Sequence, residues 1–369
     1  GIEGFAAWEI GAIGAGFWLG IVFGSLRAGR LIRRVGHIRT FAALGAIAST
    51  AALLHLLMIA PPVWIMVRAL TGFCFAGLFM VVESWINGAA SSQTRGQILS
   101  LYGMTGLVAG ICGQLLFPAT DPAQFRPFCI VSCIIALALV PIALTRAAAP
   151  QEEEGVVRIS LRRLYAQSPF GVVAGFLCGV TTSAFFSLGP LWAQRRGFDN
   201  EAIALFMASG TLGGFLMTWP LGWLSDRMDR RAVIVGAAVT AAITFLVIVA
   251  FIPSDASLSA IYVCVALFGG TIIPTYSIVI AHVNDGVTPG EFVAASGGLL
   301  IVQGVGATAG PIVAGLAMSV AERGLSITII MAQLLIALWG AYRFSFRPAS
   351  PSASKADFVV EPPVPVRAR

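Results

Sequence analysis

At 369 residues, the chain is 57% hydrophobic and only 11% charged, with a mean hydropathy of +0.88, against about 25% charge in soluble domains. That excludes a soluble globular protein and indicates an all-α polytopic membrane protein. A net charge of +6 and a pI of 9.3 would suit a nucleic-acid binder, but the arginines stand in short segments between apolar runs, where they set orientation in a bilayer, so no nucleic-acid partner is expected.

A membrane-crossing helix needs about 20 apolar residues. Runs of that kind lie at 8–26, 40–60, 63–82, 97–117 and 127–145, and again at 169–190, 201–222, 232–252, 258–281, 293–320 and 325–344. Eleven spans follow, in two sets. Between them, Arg146 to Gln167 breaks the hydrophobicity with Pro150 and Glu152-Glu153-Glu154, and Val156 to Tyr165 alternates apolar residues with Arg158, Arg162 and Arg163. This linker reads as a basic stretch, either an amphipathic helix on the anionic leaflet or unstructured. After Arg347 the tail is rich in Pro, Ser and Ala and is expected to be disordered. The expected domains are 1–146, a linker at 147–167, 168–346 and the cytoplasmic tail 347–369.

An internal repeat relates the two sets. Gly222-Trp223-Leu224-Ser225-Asp226-Arg227 has an altered copy in Gly29-Arg30-Leu31-Ile32-Arg33-Arg34, 193 positions upstream, and Arg95-Gly96 faces Pro289-Gly290 at an offset of 194. That register leaves the run at 169–190 without a first-half partner. A twelve-helix protein of two pseudo-symmetric six-helix bundles is expected, whose first helix is absent from this chain. Loops after even-numbered spans, counting that absent one, carry most arginines, which places them, the linker and the tail on the cytoplasmic side.

The six cysteines all fall in spans with no CxxC pair, and the histidines His37, His55 and His282 have no acid or Cys at ligand spacing. Neither a metal, a cofactor nor an enzymatic centre is expected.

Two such halves, the linker and the Gly-x-Leu-x-Asp-Arg loop resemble the major facilitator superfamily. Val81-Val82-Glu83-Ser84, Arg95-Gly96 and Gly113-Gln114-Leu115-Leu116 are similar to its YcaD-like bacterial branch. The resemblance implies secondary active transport of a small solute by alternating access, with proton coupling, by a monomer in the bilayer of the bacterial inner membrane. A transporter-like receptor that binds a solute without moving it is the alternative.

The resemblance also implies a cytoplasmic latch at Gly222, Asp226, Arg227 and Arg230, with Gly29, Arg33 and Arg34 in the first copy. Its acid lies at a helix N-terminus of the partner half, where the positive end of the dipole favours a carboxylate. Arg33 stands where the first copy should have its acid, and topology alone could also account for these charges. Arg68 followed by Gly72 is similar to the family's fourth-helix motif, implicated in substrate or proton coupling. An arginine about five residues inside a span either faces a cavity or an acid, or snorkels to the interface. Glu83 lies fifteen residues on, roughly 22 Å of helix, too far to pair with Arg68. It either gates by pairing with Arg34 or Arg95, or carries a proton. In the eleventh helix Gly306, Gly310 and Pro311 combine GxxxG spacing with a bend, read as a hinge or tight interface. The family's path runs along the first and fourth helices of each half, which makes Thr181, Thr182, Thr275 and Tyr276 candidates, with Gln114 and Gln303 on neighbouring helices.

Overall fold

The computed structural model describes residues 3–89, 94–121, 123–144, 160–250, 258–288 and 291–346. Every element there is helical: α1 (Ala7–Val35), α2 (His37–Leu57), α3 (Pro61–Ala89), α4 (Arg95–Leu116), a 3₁₀ turn (Pro118–Thr120), α5 (Arg126–Ala143), α6 (Leu161–Gln167), α7 (Pro169–Arg195), α8 (Asn200–Arg227), α9 (Arg230–Ala250), α10 (Leu258–Asn284), α11 (Phe292–Val320) and α12 (Gly324–Phe346). All but α6 are long and apolar enough to cross a membrane, eleven in all among the described residues. The described linker helix begins at Leu161, where Ser160 caps it by accepting from the Arg163 amide at 3.2 Å. The rest of the linker and the tail beyond residue 346 lie outside the described residues.

Several helices overrun their apolar runs at the arginine-rich end. The first run closes at residue 26, yet α1 continues to Val35 through Arg27, Arg30, Arg33 and Arg34. Apolar length measures the hydrocarbon thickness, about 30 Å, whereas arginine, leucine and isoleucine sustain a helix beyond it.

The repeat has a backbone signature. Gly20 on α1 lies so close to the Ala69 carbonyl on α3 that a Cβ has no room, and Gly72 on α3 meets the Phe17 carbonyl in return. In the second half Gly213 on α8 meets the Ala266 carbonyl and Gly269 on α10 meets that of Gly210. Gly20 and Gly213 are 193 apart, the offset of the charged loops; Gly72 and Gly269 are 197 apart. The extra four residues are those by which the α9–α10 connection, seven residues, exceeds the α2–α3 connection, three. Two small-residue helix pairs with reciprocal contacts thus form the cores of the two halves. Around them α2 packs on α3 and α5 as α9 packs on α10 and α12. No described helix packs on α4 as α7 packs on α11.

The second half has the larger core. Phe185, Phe206, Phe245 and Phe268 are fully buried with Trp192, the Phe245 and Phe268 rings 4.8 Å apart. A second cluster nearer the arginine-rich end gathers Phe170, Ile234, Val279, Leu299 and Ile336, and the linker's Leu164 inserts into it. Arg163, one residue earlier, pairs with Glu291 beside the start of α11, so the described part of the linker is docked on protein.

Candidate functional site

The halves meet along two seams, α1 with α11 and α4 with α8. At the end away from the arginines, Gly11 abuts the Pro311 carbonyl, Gly14 abuts Ser187 on α7, and a Cβ on Gly315 would lie 2.7 Å from the Ala7 carbonyl. Near mid-helix, a Cβ on Gly304 would come within 2.5 Å of Val22. In the second seam the Gln114 amide and the Thr211 hydroxyl exchange hydrogen bonds, Nε2 to Oγ1 at 3.1 Å and Oγ1 to Oε1 at 3.2 Å. Toward the arginine-rich end the packing opens. A Cβ added to Gly103 or Gly106 on α4, to Gly222 on α8 or to Gly297 on α11 would meet no atom within 4 Å. The seams therefore seal one end, leaving a cleft that opens toward the arginines.

The sequence candidates divide around this cleft. Gln114 lies in a seam and holds the halves together. Thr181 is fully buried and accepts a 2.8 Å hydrogen bond from Gln333 on α12. A residue count cannot reveal which helix a threonine faces. Thr275 is likewise buried and donates to the Thr271 carbonyl. Thr182 and Gln303 are half-buried. Among the described residues the buried Tyr276 hydroxyl has no hydrogen-bond partner, a group with unused bonding capacity beside Pro274 in α10. Gly306 and Gly310 face the Phe176 and Val180 carbonyls of α7, within one half, while Pro311 faces the other half.

Arg68 is half-buried on α3, its guanidinium 4.7 Å from the Phe17 ring centre. Among the described residues it has no carboxylate partner, and the ring face is what stabilises its charge there. Glu83 is exposed near the other end of α3 and makes no ion pair with Arg33 or Arg34; the side chain of Arg95 lies outside the described residues. Sequence reasoning passes over the neighbouring pair His37 and Ser84, whose side chains meet at 3.1 Å, with the His37 ring stacked on Trp85. His55 sits in the last turn of α2. Its Nδ1 lies 2.9 Å from the Ala51 carbonyl and its ring packs edge-on against Trp64.

The latch residues behave differently in the two copies. In the second, Arg230 binds Asp226 at 3.0 Å and Asp285 at 2.9 Å, tying the ends of α8, α9 and α10 within one half. Asp285 is not among the sequence candidates, although an Asp just past the apolar run of α10 is the available signal. Arg227 lies over the Trp223 ring at 4.0 Å. Asp229 caps α9, accepting from the Arg231 amide at 2.9 Å and pairing with its guanidinium at 2.8 Å. Burial pushes the Asp229 carboxyl up, the largest single influence, but the hydrogen bonds and charge of Arg231 outweigh it and hold it below its usual value of 3.8. In the first copy Gly29 approaches Met80, and Arg33 and Arg34 are exposed.

Residues 4–311 match a model of the Major Facilitator Superfamily. The chain is 26% identical over 310 residues to the "Uncharacterized MFS-type transporter YcaD" of Escherichia fergusonii, covering 84% of this chain and 79% of that protein. The protein of the same name from Escherichia coli O7:K1 is 27% identical over 312 residues, at the same coverage. Among solved structures, the nucleoside transporter NupG superposes with a TM-score of 0.77 at 14% identity, over 94% of this chain and 92% of that one. A bacterial homolog of the human lysosomal transporter Spinster, inward-facing and occupied, superposes at 0.70 with 14% identity, over 92% and 89%. At such identities the likeness is one of fold.

Proposed function

This chain belongs to the major facilitator superfamily, and from that premise we propose that it is a proton-coupled secondary active transporter that carries a small solute across the bacterial inner membrane by alternating access, as a monomer. The observation that carries this reading is the one-sided seam. The halves touch from mid-helix to one end and part toward the other, the arrangement of one extreme of a rocking cycle. With arginines retained inside, the open end is cytoplasmic and the structure is inward-open.

In this reading the solute enters between the halves and meets Thr182, Tyr276 and Gln303 on the second-half wall and Arg68 on the first-half wall. The Tyr276 hydroxyl, without a hydrogen-bond partner among the described residues, and the Arg68 guanidinium offer hydrogen bonds that a polar solute can complete. Glu83, exposed near the cytoplasmic mouth without an ion pair to Arg33 or Arg34, takes up and releases the coupling proton. The latch network at Asp226, Arg230 and Asp285 keeps the second-half helix ends together as that half moves.

The test is flux in proteoliposomes over a solute panel, with and without an imposed pH gradient. Nucleosides belong in the panel because NupG shares the fold. Gradient-driven accumulation of one solute is expected. Flux indifferent to the gradient would remove proton coupling, and saturable binding without flux would favour the receptor reading.

A further inference from the structure

The two halves treat their arginines in opposite ways. In the second half Arg230 and Arg231 are held by Asp226, Asp285 and Asp229. In the first half Arg27, Arg30, Arg33, Arg34 and Arg39 crowd into thirteen residues. Between Glu9 and Asp121 the sequence offers one carboxylate, Glu83, and among the described residues none of these five arginines has an ion-pair partner. All five are exposed.

Their placement on α1 is specific. Leu19, Phe23 and Leu26 form an exposed apolar stripe, 43%, 53% and 42% accessible. The same stripe, followed at helical spacing of three and four residues, continues as Arg27, Arg30 and Arg34. A surface that meets acyl chains thus passes without interruption into three guanidiniums, within roughly 12 Å of helix axis from Leu26 to Arg34. Arg33 and Arg39 flank it across the short α1–α2 corner at Gly36.

We propose that this patch is a binding site for an anionic phospholipid, whose phosphate supplies the acid that the first copy of the loop lacks. The acyl chains lie along Leu19, Phe23 and Leu26 while the headgroup phosphate is held by Arg27, Arg30 and Arg34. Guanidinium forks match phosphate oxygens in geometry as well as charge, and clustered basic residues immediately beyond a membrane helix attract anionic leaflets. Topology alone needs only that these arginines stay on one side; it does not need them aligned under an apolar stripe. The inference rests on the membrane location and not on any transport reading.

Native mass spectrometry in a neutral detergent, with equal phosphatidylglycerol and phosphatidylcholine, tests it. The wild-type protein should retain phosphatidylglycerol selectively, and R27Q/R30Q/R34Q should lose that preference about tenfold or more, since each contact near an anionic surface contributes a factor of about five. Equal retention of the two lipids by the wild type, or selectivity surviving in the triple variant, would overturn the proposal. If the triple variant does not fold, R30Q alone and a sodium chloride titration of the wild type carry the test, because a charge-held headgroup must be released as the Debye length shortens; salt-insensitive retention overturns it. Inorganic phosphate is the second arm. Displacement of the lipid by millimolar phosphate would reassign the patch to a soluble phosphate.

Discussion

Gln114 on α4 and Thr211 on α8 meet across the two halves at 3.1 Å, a polar side-chain pair that joins the α4–α8 seam. Interhelical polar pairs within membranes contribute about 0.6 kcal/mol. Gln114→Ala and Thr211→Val should each weaken closure at that end and be non-additive in a double-mutant cycle. Alkylation of a cysteine introduced on the α8 face of that seam should rise in either single variant; additive effects would show that the pair does not couple the halves.

The α1–α11 seam predicts a sharper asymmetry between two glycines. Gly11→Val places two methyls against the Pro311 carbonyl and Gly315, and should destabilise this state by about 1–3 kcal/mol, as overpacking does. Gly103→Ala, with open space around it, should leave thermal stability unchanged or raise it slightly through helix propensity. Equal unfolding temperatures for the two variants would contradict the seam.

Thr181 and Gln333 form a buried pair, so Thr181→Val strands the Gln333 amide and should cost about 1–3 kcal/mol while leaving the solute KM intact. Gln303→Ala should do the reverse, raising KM with little loss of stability. Parallel thermal melts and uptake kinetics separate the two outcomes.

Asp229 makes stability depend on acid pH with a defined sign. Its folded value lies below the usual 3.8, so its contribution is complete above that value and is lost as pH falls through the lower, folded one. Asp229→Asn should cost about 1 kcal/mol near neutrality, as loss of an ion pair and charged cap, and should flatten the decline in melting temperature below about pH 4.

Glu83→Gln should abolish the response of uptake to a pH gradient while preserving downhill exchange of the solute. If gradient-driven uptake persists in that variant, another group carries the proton.

The spans were legible because a run of apolar residues is a direct measure of hydrocarbon thickness, and the repeat because the charged stretches at Gly29 and Gly222 keep one offset, which Gly20 and Gly213 share in the packing. Helix ends were less legible: α1 runs nine residues past its apolar limit, since nothing in Arg27 to Val35 stops a helix before Gly36, which has a φ of +93°. The site was partly legible. Hydroxyl residues on path helices could be counted, but Thr181 pairs with Gln333, 152 positions away, and no one-dimensional pattern encodes that facing. Asp285 escaped for the same reason, since it acts on Arg230 from a helix end distant in sequence.

Helix α11 carries its two interfaces on adjacent turns, Gly306 and Gly310 bedded on α7, Pro311 and Gly315 pressed against α1. The first contact lies within one half, and in the proposed alternating-access cycle the second must break. Because the α1 contact consists of glycine surface against backbone carbonyls already engaged in their own helix, parting it strands few hydrogen-bonding groups and forfeits chiefly dispersion. Such a joint can be peeled and resealed repeatedly with little desolvation cost, as a fastener made of shape rather than of charge.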